Sequence, residues 1–262
     1  MSNQKYDWTF IHREVVDSTN NLAHRLAVEG EVRWPLVVWA ARQTSGRGRG
    51  SHAWWSDEGS LTFTIGLDPA AHGLRVVHEP RLALAAAVAV IEAIAPLAPT
   101  AALGIRWPND IEAAGRKLGG ILPERVETTA GARLLVGIGL NVRTRLADAP
   151  PEVQRMATSI EALRGSPYDA GMADLLGSIL TRFEQSTAAL VRDDPTLAER
   201  WRQLDSLAGE WVRVQQVSQT LTGRALGIEP DGSLRLLTER GPINIQGGQV
   251  LRDPLSHSLT NR

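Results

Sequence analysis

The hydrophobic positions of this chain mix strand and helical spacing up to about residue 150, turn helical after it, and return to a period of two from Ala208. Residues 8–16 predict a strand that enters a turn at Asp17-Ser18-Thr19-Asn20. Leu22, Ala23, Leu26 and Ala27 follow at helical spacing, and Gly30 reads as a stop. Residues 35–41 (PLVVWAA) form a continuous apolar run and predict a buried strand. Residues 61–67 (LTFTIGL) are β-branched and alternate, which predicts another. Residues 80–97 predict an alanine-rich core helix, and 104–107 a short strand broken by Pro108. Residues 111–112, the turn AAGR and residues 117–127 predict a hairpin. Residues 134–142 (LLVGIGLNV) are an apolar strand interrupted by Gly137 and Gly139, read as a bulge or tight packing.

After Pro150-Pro151 the period becomes helical. It covers 158–163, then 170–193 with Leu175, Leu176, Ile179, Leu180 and Phe183 on one face. Asp194-Pro195 opens a further helix as N-cap and first-turn proline. From Ala208 the period returns to two, in WVRVQQV, GRALGIEPDGSLRLLT and INIQGGQVL. Asp231-Gly232 reads as a hairpin turn. These short strands predict a small barrel. The expected domains are 1–207 and 208–262.

Composition adds limits. The 262 residues are 43% hydrophobic and 22% charged, enough for a sizeable core. A net charge of −1 gives no global attraction to nucleic acid or acidic lipid. With no cysteine, thiolate catalysis and cysteine-zinc sites are excluded, and a reducing, cytoplasmic location is expected. The N-terminus has no apolar signal core. The longest apolar run, residues 82–91, is too short to span a bilayer, so no membrane association is expected.

Candidate chemistry concentrates in residues 43–55, QTSGRGRGSHAWW. Backbone without Cβ atoms can approach a ligand closely, and its amides together with arginine forks suit anionic oxygens. The segment reads as an anion-binding flap or as a solvated arginine-glycine turn that touches RNA. Ordering eight such residues costs on the order of 10 kcal/mol, so a flap would be loose when empty and closed over its ligand. Ser18, Thr19 and Asn20 read as a helix cap, or as neutral donors and acceptors for a urea or amide group. Asn109 and Asp110 suit an Asx turn, magnesium or a nucleotide. Lys117 reads as a solvated edge residue, but Gly119 and Gly120 beside it suggest close approach by a ligand or backbone.

The order of these segments is more specific than any one. DSTN, GRGRGSHAW, WPND, KLGGIL and GIGLNV, over about residues 17–142, resemble the biotin–protein ligase family. The resemblance implies an α+β fold: a mixed sheet with helices related to class II aminoacyl-tRNA synthetases, then an SH3-like C-terminal barrel. It implies that biotin attacks the α-phosphate of ATP to give biotinyl-adenylate, and that a lysine of a biotin carboxyl carrier protein then takes the biotinyl group. Magnesium helps neutralise the phosphates. By matching positions, Lys117, Arg49 and Asp110 are the expected catalytic residues, with Asp110 also a magnesium candidate and the candidate general base. Ser18, Thr19, Asn20, Gln43, Arg47, Gly48, Arg49, Lys117, Gly119 and Gly120 are expected around biotin. Trp54, Arg106, Asn109 and Asn141 are expected around the nucleotide.

The chain departs from the family pattern in two places. Arg106 stands where the family usually has lysine before WPND, and an arginine fork does not replace a point charge in every geometry. Only 16 residues precede the DSTN turn, too few for the helix-turn-helix of bifunctional members, so no operator DNA binding is expected. A homodimer is compatible with the resemblance. The alternatives are a lipoate–protein ligase and a non-catalytic RNA-binding protein.

Overall fold

The computed structural model describes residues 6–30 and 32–252. The first five residues and last ten of the expected domains therefore lie outside the described residues.

The main sheet has seven strands in the order β1-β2-β3-β7-β6-β5-β4. These are β1 (Thr9–Val16), β2 (Leu36–Gln43), β3 (Ser60–Leu67), β4 (Leu103–Arg106), β5 (Asp110–Ala113), β6 (Arg116–Thr128) and β7 (Gly131–Asn141). β1 and β2 are parallel, because α1 (Thr19–Glu29) crosses between them. The other neighbours are antiparallel, so the sheet is mixed. Gly30 ends α1 at φ 74°, the left-handed conformation that glycine enters without a Cβ penalty.

The sheet is covered on both faces. α1 sets Ala23 and Ala27 against Leu36, Val38, Val126 and Leu135. Over the other face lie α2 (Glu79–Ile94), α5 (Met172–Val191) and α6 (Pro195–Gln203). Asp194 caps α6 by accepting from the Thr196 amide, as its sequence indicates. Two shorter helices, α3 (Pro151–Met156) and α4 (Ile160–Arg164), follow β7, and the Glu161 amide of α4 donates to the Val142 carbonyl just past it at 2.9 Å. α4 lies where residues 158–163 read as helical, whereas α3, which begins at the Pro150-Pro151 step, is not marked by the sequence pattern.

β3 corrects a simple reading of alternation. All eight of its residues are buried. Leu61, Phe63, Ile65 and Leu67 enter the main core, whereas the Thr64 hydroxyl donates to Asn20 Oδ1 at 2.6 Å. Thr62 donates to the Ala40 carbonyl at 3.2 Å and Ser60 pairs with Thr144 at 2.9 Å, so the polar positions of β3 meet protein groups rather than water. Val76–Leu97, 22 residues long, has the length and apolarity to cross a membrane. A count of uninterrupted apolar residues passes over it because Arg81 and Glu92 intervene. In this fold α2 is a buried core helix, and Glu92 accepts from Arg200 Nε of α6 at 2.7 Å.

The C-terminal strands form one antiparallel sheet, β11-β10-β9-β8-β12. They are β8 (Trp211–Gln215), β9 (Thr220–Ile228), β10 (Leu234–Thr238), β11 (Gly241–Ile245) and β12 (Gln249–Arg252). INIQGGQVL, a single stretch of period-two pattern, splits at its glycines into the end of β11 and the start of β12, on opposite edges. The β9–β10 connection has the glycine its sequence indicates, but it is longer than a two-residue turn. The Glu229 amide donates to the Ser233 carbonyl at 2.8 Å, with Gly232 at φ 85°. This sheet is held to the main one around β4. Trp107 Nε1 donates to the Gly232 carbonyl at 2.9 Å, and Arg252 reaches Glu112 at 3.1 Å. The two apolar cores run together.

Asp205 lies in that junction. Its Oδ1 accepts from the Leu207 amide at 2.9 Å, while Oδ2 is buried without a hydrogen-bond partner. Burial, with the Glu112 charge adding to it, pushes this carboxyl up from 3.8 to about 6. The folded state therefore prefers the protonated acid. Its contribution to stability is full below about pH 4 and is lost as pH rises through about 6. Asp205→Asn, which needs no charge there, is expected to be more stable than the parent at pH 8 by about 1–3 kcal/mol. Denaturant titrations at pH 8 and below pH 4 check this; the difference should vanish at the lower pH.

Candidate active site

The site begins where β1 hands the chain to α1. Ser18 occupies the N-cap position with extended backbone, yet its hydroxyl makes no capping bond. Instead the Thr19 amide donates to Gln43 Oε1 at 2.8 Å, and the Thr19 hydroxyl to the same oxygen at 3.2 Å. A side chain at the end of β2 thus does the capping, which a local reading of DSTN misses. Ser18, Thr19 and Asn20 are all buried and line a cleft of about 1470 Å³.

The cleft owes its depth to glycine on β7. A Cβ on Gly137 would sit 2.1 Å from Asn20 Oδ1, and one on Gly139 would sit 2.4 Å from the Trp54 ring. The β6–β7 pairing runs without a register shift through both, so close approach, and not a bulge, explains them.

A bulge does occur on the other side of β6. Gly119 pairs with Ile111 and Lys117 with Glu112, leaving Leu118 extra. Lys117 and Gly120, three apart, therefore share the cleft face. A Cβ on Gly120 would lie 3.5 Å from both the Lys117 ammonium and Asp110 Oδ1. Gly119 is turned the other way, toward Ile111 and Leu140, and does not line the cleft. Lys117 Nζ donates to Asp110 Oδ1 at 2.6 Å and stands 5.8 Å from the centre of the Trp54 ring.

Residues 46–54 fold back on themselves above this floor. The Gly48 amide donates to the His52 carbonyl at 2.8 Å and the Trp54 amide to the Gly46 carbonyl at 2.9 Å. The two limbs run so close that a Cβ on Gly46 would lie 2.4 Å from the Trp54 carbonyl oxygen. Arg47 reaches Glu124, and Arg49 donates to the Gly248 carbonyl at 3.2 Å and toward Asn109 Oδ1 at 3.4 Å. The Trp54 indole N–H is buried over Gly139 without a hydrogen-bond partner.

The remaining expected residues also border the cleft. Arg106 donates to the Val250 carbonyl at 2.6 Å, tying the site to β12. Asn109 Nδ2 donates to the Ile121 carbonyl at 2.7 Å. Asn141 Nδ2 donates to the Thr158 carbonyl at 3.0 Å. Two contributors escape the sequence reading. Arg155 enters from α3, with no local motif to mark it. Glu124 lies just past KLGGIL, in a strand where an acid reads as solvated.

The lining contains Arg47, Arg49, Arg106, Lys117 and Arg155 against Asp110 and Glu152. A chain of net charge −1 thus gathers a cationic cleft, which suits a polyanion. No cluster of three or more metal-ligating side chains occurs among the described residues. Asp110 offers one carboxylate, already engaged by Lys117, so the donor set fits only a magnesium ion carried mostly by nucleotide phosphates and water.

Residues 13–141 match the biotin/lipoate A/B protein ligase family. The chain is 35% identical to the bifunctional ligase/repressor BirA of Bacillus spizizenii over 92% of this chain and 73% of that one. It is 32% identical to the biotin–[acetyl-CoA-carboxylase] ligase of Mycobacterium tuberculosis over 82% and 78%. The solved biotin protein ligase of Aquifex aeolicus, in complex with biotin and ATP, superposes with a TM-score of 0.80 at 28% identity, covering 94% of this chain and 99% of that one.

Proposed function

Because this chain belongs to the biotin/lipoate A/B protein ligase family, as one of its biotin ligases, we propose how its cleft divides the work of that reaction. The enzyme activates biotin with ATP and passes the biotinyl group to a biotin carboxyl carrier protein. In the first step the biotin carboxylate attacks the α-phosphate of ATP. The bond from that phosphorus to the bridging oxygen breaks, and pyrophosphate leaves. A carboxylate and a polyphosphate repel, so the reaction needs positive charge placed where they meet. The observation that carries our reading is Lys117, held 2.6 Å from Asp110 at the centre of the cleft. We assign it to the carboxylate and the reacting phosphate.

Around it, Ser18, Thr19, Asn20 and Gln43 receive the ureido end of biotin, and Gly48 and Gly120 let backbone approach the ligand. Arg47 and Arg49 close the flap over the adenylate, and Trp54 covers the adenine. Arg106, Asn109 and Asn141 position the nucleotide; Arg106 supports its phosphates as a fork rather than a point charge. Magnesium, bound with ATP, would neutralise phosphate charge, and Asp110 would be the protein carboxylate that helps to hold it. In the second step a carrier lysine attacks the acyl carbon, AMP leaves, and Asp110 accepts the amine proton. The mixed anhydride is destroyed by water, which gives the closed flap its purpose. In this account the flap opens by breaking the exposed contacts of Arg47 and Arg49, and ligand favours the closed arrangement.

We read the five-stranded C-terminal sheet as an SH3-like barrel appended to a synthetase-related catalytic domain, with the boundary near Leu207. A cytoplasmic enzyme that binds neither DNA nor membrane is the reading we favour. The test of the substrate is direct: with ATP, magnesium and an apo carrier domain, biotin should be coupled to one lysine and lipoate should not. Equal transfer of lipoate would overturn the choice of acid.

Two further results are expected. Arg49→Gly, which removes the contact to the Gly248 carbonyl, should release about tenfold more adenylate into solution, by analogy with loss of a charged hydrogen bond. Labelling of bystander lysines measures it; an unchanged yield would exclude Arg49 from retention. Biotin plus ATP should also protect residues 43–55 from limited proteolysis, which equal cleavage with and without ligand would contradict.

A further inference from the structure

Resting on that reading of the cleft, we propose that Glu124 is a positioning residue that latches the flap to the ureido end of the biotin pocket. Three donors converge on its carboxylate from two parts of the chain. Asn20 Nδ2 donates to Oε2 at 2.8 Å, from the first turn of α1. Arg47 Nη1 donates to the same oxygen at 3.2 Å, and Arg47 Nη2 donates to Oε1, from the flap. Arg47 Nη1 also donates to Asn21 Oδ1 at 2.8 Å. The flap arginine is therefore clamped between a strand carboxylate and the helix that carries the pocket.

Asn20 has little freedom apart from this contact. Its Oδ1 accepts from the Thr64 hydroxyl at 2.6 Å, and its Nδ2 also donates to the Leu122 carbonyl at 3.2 Å. Gly137 closes the space behind it. The Thr64 hydroxyl lies 2.9 Å from that of Thr19, which contacts Gln43. Asn20 and Glu124 thus link the Thr64 hydroxyl to Arg47, while the Thr19 hydroxyl donates separately to Gln43. A ligand that engages Asn20 alters what Glu124 offers to Arg47, and the flap responds.

The two ends of the flap are held differently. Arg49 meets a neutral carbonyl of the C-terminal sheet, whereas Arg47 meets a charged, forked acceptor attached to the pocket. A paired charge is the stronger tie. It is also sensitive to salt, because the Arg47 and Glu124 side chains remain 42% and 24% exposed.

Glu124→Gln keeps the length of the side chain and an acceptor for Asn20, and removes the charge facing Arg47. The experiment measures biotinyl-adenylate lost to solution relative to biotin transferred to an apo carrier domain. The variant should still form adenylate and lose about tenfold more of it. Rising ionic strength should raise the parent's loss toward the variant's and leave the variant's unchanged. Arg47→Gln should show the same loss, and the double variant no more than either single one. Arg47 is exposed, so that arm tests the latch even if Glu124→Gln does not fold. A loss within about twofold of the parent in both single variants, or additive effects in the double variant, would overturn the latch. A parent that makes adenylate but shows no salt dependence would overturn it while leaving the reading of the cleft intact. A parent that makes no adenylate from biotin and ATP would overturn both.

Discussion

Lys117→Ala is expected to slow adenylate formation about 100-fold or more, the usual loss when one group facing concentrated negative charge is removed. The side chain lies on the cleft face only because β6 carries an extra residue at Leu118, and Asp110 fixes its ammonium at 2.6 Å. Alanine leaves the strand pairing intact but leaves Asp110 facing the phosphates without a cation between them. The effect should appear in the rate of the first step, measured in a single turnover with saturating biotin and ATP. Transfer from preformed biotinyl-adenylate should suffer less. Adenylate formation at the parental rate would remove Lys117 from the chemistry.

Gly137→Ala is expected to weaken biotin binding by about 100-fold, through sterics alone. The new methyl group would meet Asn20 Oδ1 at 2.1 Å, well inside contact distance. Asn20 cannot give way cheaply, because Thr64, Leu122 and Glu124 all bond to it. Losing two or three such contacts, at about 1 kcal/mol each, accounts for the magnitude. ATP affinity should change little, since Arg106 and Asn109 lie at the end of β4 and in the turn that follows it, away from β7. Calorimetric titration of biotin, with far-UV dichroism to confirm the fold, distinguishes this from general damage. Undiminished biotin affinity would show that Asn20 does not contact the vitamin.

The strands and helices were largely legible because burial imposes periods that a sequence displays. Gly30, Asp194-Pro195 and the apolar runs around β2 and β7 mark their elements by local chemistry. Features that depend on distant partners were not legible. The bulge at Leu118 needs the register of β5 as well as β6. Gln43 caps α1 across 24 residues of sequence, so DSTN reads as self-capping when it is not. Gly119 and Gly120 look equivalent in the motif, yet one packs against Leu140 and the other borders the cleft. Glu124 and Arg155 carry no local signal, because an acid in a strand and an arginine in a short helix both resemble solvated surface. The edge-to-edge split of β11 and β12 is likewise a property of the assembled sheet.

The account's central claim is that this cleft joins a carboxylate to an α-phosphate with release of pyrophosphate. Because that step is reversible, exchange of labelled pyrophosphate into ATP tests it without any acceptor protein. The purified parent should incorporate label only when biotin is present, and Lys117→Ala should lower the rate by about 100-fold. Label appearing equally without biotin, or no label at all in its presence, would contradict the claim.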